Sequence, residues 1–173
     1  MADERRGAVT FKGNPVTLSG TEVRAGQPAP SFAAVDVSLQ PVKLADGHGK
    51  VVILSSVPSL DTPVCDAQTK RFNEAAAGLP GVEIYTVSMD LPFAQARWHQ
   101  AENVSHRSLS AHRSEQFGRD YGVLLKEWRL LQRAVFVVDK NDKVLHVEYV
   151  DDQMMEPDYE ASLEAARKAA DRS

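Results

Sequence analysis

The chain carries a single cysteine, Cys65, and its neighbours are of the kinds that make a thiol reactive. It closes the run Val57-Pro58-Ser59-Leu60-Asp61-Thr62-Pro63-Val64-Cys65. Threonine is a favoured helix N-cap and proline is favoured at the first helical position, so Thr62-Pro63 predicts a helix start with Cys65 third. A sulfur there sits near backbone N–H groups without intrahelical partners and near the positive end of the helix dipole. Both favour the thiolate, the nucleophilic form of a group whose reference pKa is about 8.5. A nearby arginine would add a permanent charge and several donors. Such donors could also hold a polar substrate and stabilise negative charge building on its departing atom. Pro58 has no N–H and could shield the sulfur from water. The plain alternative is a buried small hydrophobe, the commonest state of a lone cysteine. The combination of a preceding strand with Pro58, Thr62 and Pro63 weighs against it.

One cysteine allows no internal disulfide, no Cys-x-x-Cys pair and no multi-cysteine zinc site, so any second thiol comes from outside the chain. A chain of 173 residues, 43% hydrophobic and 25% charged, fits one soluble domain over residues 1–173 with a well-filled core. The net charge of −4 gives no reason to expect nucleic acid or an anionic membrane as partner. No apolar run approaches the length of a membrane span. The segment Met1 to Val9 contains Asp3, Glu4, Arg5 and Arg6 and lacks the apolar stretch of a secretory signal, so a cytoplasmic protein is the default expectation. His99, His106 and His112 do not form a short metal-binding motif, and no metal is expected. No glycine-rich phosphate loop follows a predicted strand, so no nucleotide cofactor is expected.

The elements that must position Cys65 are legible in outline. Val9–Lys12 and Val16–Leu18 flank Gly13-Asn14-Pro15 and read as a hairpin with those residues at its tip. Short strands are expected around Ser31–Asp36 and Pro41–Leu44. Val51-Val52-Ile53-Leu54 reads as a strand buried on both faces. A helix from Pro63 to about Ala77 follows, stopped by Gly78 and Pro80. Val82–Met89 reads as a strand and Phe93 to Glu102 as a helix. Ala134–Val138 and Lys143–Val150 form a hairpin around Asp139–Asp142. Asp158 to Ala170 puts Tyr159, Leu163, Ala166 and Ala170 on one helical face, with Pro157 just before it. The stretch from Asn103 to Gln132 carries no clear period, although Phe117, Tyr121 and Trp128 suggest that part of it packs. A helix between two strands implies a right-handed parallel crossover, and the hairpin adds antiparallel strands. The order predicts an α/β, thioredoxin-like fold: a central mixed sheet flanked by helices, with an N-terminal β-hairpin.

The pattern Pro58-x-x-x-Thr62-x-x-Cys65 resembles the peroxiredoxin active-site motif. Pro58–Cys65, Met89-Asp-Leu-Pro-Phe-Ala-Gln-Ala-Arg97, Glu156-Pro-Asp-Tyr-Glu160 and Phe11-Lys-Gly-Asn-Pro-Val-Thr17 resemble the thiol peroxidase branch of that family, across almost the whole chain. The resemblance implies a homodimer that reduces hydrogen peroxide and alkyl hydroperoxides. It makes Cys65 the peroxidatic cysteine, has Thr62 hydrogen-bond the peroxide and has Pro58 cover the thiolate. It assigns the active-site arginine to Arg133, in Gln132-Arg133-Ala134-Val135 at a strand start; by residue type alone an arginine there is more often a solvated strand end. Arg97 and Arg71 are weaker candidates, expected on solvated helix faces.

The chain departs from that branch at one informative place. His99 stands where the family's resolving cysteine is expected, on the helix after Asp90-Leu-Pro-Phe-Ala-Gln95. An intramolecular disulfide is therefore impossible, and a one-cysteine cycle is implied, with an external thiol reducing the Cys65 sulfenic acid. That thiol could be small or belong to a thioredoxin-like protein. His99 itself reads as a surface helix histidine without catalytic duty. A peroxide sensor that passes oxidation from Cys65 to a partner is the alternative function, and a redox-inactive scaffold a third.

Overall fold

The chain opens with a hairpin that reaches across to its far end, as seen in a computed structural model that describes residues 3–47 and 49–172. Glu4–Phe11 (β1) and Asn14–Ser19 (β2) pair antiparallel. The turn is tighter than the sequence suggests: Asn14 and Pro15 already pair with Phe11 and Thr10. Lys12 and Gly13 make the reversal with φ of 50° and 79°, the left-handed pair that a two-residue hairpin turn needs.

Ala33–Val35 (β3) and Pro41–Lys43 (β4) form the expected short pair. Val51–Ser56 (β5) is buried at every residue and leads through a loop into the helix Pro63–Ala76 (α1). Val82–Ser88 (β6) then lies parallel to β5, completing the expected crossover. The helix Pro92–Glu102 (α2) leads to Arg107–Ser110 (β7), which is parallel to β6. Gln116–Asp120 (α3), Leu124–Leu125 (β8) and Leu130–Leu131 (β9) follow. Ala134–Val138 (β10) and Val144–Tyr149 (β11) make the later hairpin, and Tyr159–Asp171 (α4) is the last helix. The main sheet runs β11-β10-β5-β6-β7-β3-β4, with β10 antiparallel to β5; a smaller sheet runs β1-β2-β8-β9.

Side-chain alternation on β5 and β10 divides the apolar interior into two. Val51, Ile53, Val135 and Val137 meet Phe72 of α1 with Leu163 and Ala166 of α4. Val52, Leu54, Phe136 and Val138 face the opposite way and meet Phe117 and Tyr121. Tyr159 and Ala170 flank the buried stripe of α4 as half-buried residues, as its helical spacing predicts, and Asp158 caps the helix by accepting from Ala161 N–H at 3.1 Å. The stretch 103–132, unassignable by pattern, holds three strands and a five-residue helix. These are too short to show a period, yet Phe117 and Tyr121 are almost wholly buried. Trp128 stays half-exposed against Phe11 of the hairpin, ring centres 5.1 Å apart.

Candidate active site

Cys65 is the third residue of α1, at the carboxyl end of the central strand β5, and has no solvent exposure. Pro63 occupies the first helical position, as expected. Thr62 holds the N-cap position in extended conformation, but its hydroxyl does not cap the helix. It donates instead to Ser59 C=O at 3.0 Å, across the loop that precedes α1. The N-cap expectation therefore holds for the backbone and fails for the side chain.

Arg133 is almost wholly buried, contrary to the solvated strand end its residue type suggests. Its guanidinium donates to Cys65 Sγ at 3.3 Å, to Gln68 Oε1 at 2.8 Å and to Gln153 C=O at 2.9 Å. The Gln153 side chain accepts from Arg133 N–H at 2.6 Å, so one glutamine holds both the main chain and the side chain of the arginine. Gln68 is held in turn by donating to Ser55 Oγ at 2.7 Å. Among the described residues no carboxylate forms an ion pair with Arg133, and its Nε has no partner. Two neutral amides thus orient a buried cation toward the sulfur without cancelling its charge.

Pro58, Thr62 and Arg133 line one cavity of about 100 Å³, walled further by Phe11, Lys12 and Met154. A cavity that size holds several water molecules, so a peroxide group and a short chain fit. The hairpin is fixed over this cavity through Thr10, which bonds Asp151 C=O and Gln153 N–H with its own main chain.

The loop before α1 is tied down from the other side by Asp90. Its carboxylate accepts from Ser59 Oγ at 2.8 Å, Leu60 N–H at 2.9 Å and Ser88 Oγ at 2.8 Å. Arg97 and Arg71, the weaker arginine candidates, point elsewhere. Arg97 pairs with Asp61 at 3.1 Å and Arg71 with Glu160 at 3.0 Å, both at the surface. His99 is more enclosed than the surface helix histidine expected. It is half-buried, with Nδ1 donating to Val104 C=O at 3.1 Å and Nε2 2.5 Å from Ser108 Oγ. His106 lies beside it with ring centres 6.3 Å apart, and burial lowers its pKa to about 4, with the neighbouring His99 a smaller cause. Among the described residues no cluster of histidine, cysteine and carboxylates could hold a metal ion.

Gln68, Gln153 and Asp90 are the contributions that sequence reasoning missed. Gln68 follows Cys65 by three residues and so shares its helical face, a usable signal. Asp90 stands within a quoted motif, but nothing in its spacing from Ser59 points to contact. Gln153 lies in a loop without pattern.

A buried thiol opening a helix at the end of a central strand, in a mixed sheet with flanking helices, defines a thioredoxin-fold thiol protein. Residues 24–163 match the Redoxin family. A thiol peroxidase of Halalkalibacterium halodurans is 54% identical over 163 residues, 94% of this chain and 98% of its own length. That of Bacillus subtilis is 54% identical over 160 residues, 92% and 96% of the two chains. Among solved structures, a peroxiredoxin-like protein from Aquifex aeolicus superposes with a TM-score of 0.88 at 40% identity, covering 94% of this chain and 97% of that one. A thiol peroxidase from Chromobacterium violaceum shares the fold, with a TM-score of 0.85 at 19% identity over 92% and 95% of the chains. The chain belongs to the redoxin family, in the thiol peroxidase branch of the peroxiredoxins.

Proposed function

We propose that this chain is a thiol-dependent peroxidase that reduces hydrogen peroxide and alkyl hydroperoxides through Cys65. The observation that carries the reading is the Arg133 guanidinium, buried without a carboxylate partner among the described residues and bonded to the chain's single cysteine sulfur. The Cys65 thiolate attacks one peroxide oxygen; an S–O bond forms as the O–O bond breaks. Sulfur loses two electrons, the peroxide gains them, and the departing oxygen takes a proton to leave as water or an alcohol. Arg133 stabilises the charge on the reacting atoms. Thr62 hydrogen-bonds the peroxide with its hydroxyl, and Pro58 covers the sulfur and keeps bulk water off it.

The sulfenic acid is then reduced from outside. A first external thiolate forms a disulfide with Cys65 and releases water; a second attacks that disulfide and frees the Cys65 thiolate. No cofactor takes part. Residues 1–173 act as one thioredoxin-like domain in a cytoplasmic homodimer, with no nucleic-acid or membrane partner. No described helix is long and apolar enough to cross a membrane. The alternative of a peroxide sensor has no observation in its favour.

The test is stopped-flow mixing of reduced protein with one equivalent of hydroperoxide, followed by intact mass. Fast loss of peroxide with one oxygen added, absent in Cys65→Ser, supports the reading. Loss no faster than with a free thiol refutes it.

A further inference from the structure

We propose that Met154 is a second oxidation site for the same hydroperoxide, and that its sulfoxide slows the enzyme. The inference rests on the peroxidase reading and concerns what happens when peroxide is in excess.

Two methionines stand side by side in the loop before α4. Met155 is 60% exposed and Met154 43%, so exposure alone favours oxidation at Met155. Position reverses that order. Met154 lines the cavity that Thr62 and Arg133 also line, and Met155 does not. The turn that carries both is closed by Met154 N–H donating to Asp152 Oδ1 at 2.9 Å and Met155 N–H donating to Asp152 C=O at 3.0 Å. Gln153 N–H fastens the turn to the hairpin by donating to Thr10 C=O at 2.9 Å. The two bonds from Arg133 to Gln153 fasten it to the site. The residue that orients Arg133 therefore also fixes Met154 at the cavity wall.

A thioether has a lone pair and no proton to lose, so it attacks a peroxide oxygen without a base. An S–O bond forms as the O–O bond breaks. Sulfur loses two electrons, and the departing oxygen keeps the peroxide's proton and leaves as water or an alcohol. Methionine sulfoxide remains. A cavity of about 100 Å³ leaves a hydroperoxide within reach of the side chains along it. Arg133 Nε is buried and has no partner among the described residues, which makes it a charged donor for the departing oxygen.

The same donor links the modification to activity. A sulfoxide oxygen accepts a hydrogen bond far better than the thioether it replaces. In this wall it takes the Arg133 Nε–H and competes with the next hydroperoxide for the guanidinium. Methionine sulfoxide reductases reverse the change, whereas a Cys65 sulfinic acid does not respond to them.

The experiment first measures peroxide loss with wild-type protein, which reports on the peroxidase reading alone. Protein carrying Cys65→Ser is then treated with excess hydroperoxide, and sulfoxide at Met154 and Met155 is followed by peptide mass. Gln68 and Gln153 still hold Arg133 in that variant. The same protein unfolded in urea gives the intrinsic Met154-to-Met155 rate ratio, expected near one. The folded ratio should be at least about fivefold higher, within what one charged donor contributes to a rate. A folded ratio equal to the unfolded one overturns the site, whatever the wild-type protein does with peroxide. For the second half, wild-type protein is oxidised at Met154 with dithiothreitol present to keep Cys65 reduced. Its peroxide consumption should be about fivefold slower and should recover after treatment with methionine sulfoxide reductases A and B. An unchanged rate, or a loss that the reductases do not restore, overturns the link to activity.

Discussion

Replacing Arg133 by methionine separates what the arginine does for the sulfur from what it does for the fold. The side chain is 1% exposed, and methionine fills similar space without charge. Loss of the guanidinium removes one charged donor from the reacting centre, an interaction worth about 1.5–3 kcal/mol. The rate of peroxide consumption should fall about 10- to 150-fold. Stability should respond quite differently. Gln68 Oε1 and Gln153 C=O each lose a donor, at a cost of about 1–3 kcal/mol apiece. Against this, a cation buried with no carboxylate partner among the described residues carries a desolvation penalty of several kcal/mol that methionine does not. These opposing changes should leave the unfolding free energy within about 2 kcal/mol of wild type. Stopped-flow peroxide loss and urea unfolding, run on the same samples, read the two quantities. A rate within threefold of wild type, or stability lost by more than about 4 kcal/mol, would mean that the guanidinium serves packing and that the active-site argument is wrong.

Other outcomes follow from neighbouring features. Thr62→Val removes the hydroxyl that donates to Ser59 and is proposed to meet the peroxide; peroxide consumption should slow about tenfold while urea stability drops by about 1 kcal/mol. The His106 pKa near 4 lies below its unfolded value of 6.5, so the unfolded chain takes up the proton first as pH falls. Its contribution to stability is therefore complete above pH 6.5 and is lost on acidification through the window down to pH 4, about 3 kcal/mol in all; His106→Gln should flatten that part of a stability-against-pH curve. Leu163→Ala empties a buried site between α4 and the sheet and should cost about 2–4 kcal/mol by urea unfolding, with the rate per folded molecule unchanged.

The parts of the molecule that announce themselves in sequence are those governed by local rules. β5 appears as an uninterrupted apolar run because both its faces are covered, and α4 appears because Leu163 and Ala166 recur at helical spacing. The start of α1 is legible because Thr62 and Pro63 are adjacent and act on one helix end. What stays hidden depends on meetings across the chain. Arg133 reaches Cys65 from 68 residues away, and Gln153 closes on Arg133 from a loop with no period. Without the family resemblance, Arg133 would pass for a solvated strand end. The burial of His99 is hidden for the same reason, since Ser108 reaches it only once β7 lies beside α2. β7 itself is four residues long, too short for alternation to be told from chance.

The hairpin at the start of the chain has a consequence for synthesis. β2 finds its second neighbour only in Leu124 and Leu125, and Thr10 finds its main-chain partners only in Asp151 and Gln153. A two-stranded hairpin alone is marginally stable at best in water. While the ribosome makes the intervening hundred-odd residues, Val9, Val16 and Leu18 have no Leu125 to cover them. The wall formed by Phe11 and Lys12 is therefore the last side of the reaction chamber to close, although its residues are among the first translated. A newly made chain carries its cysteine early and gains late both the arginine that activates it and the enclosure that protects it.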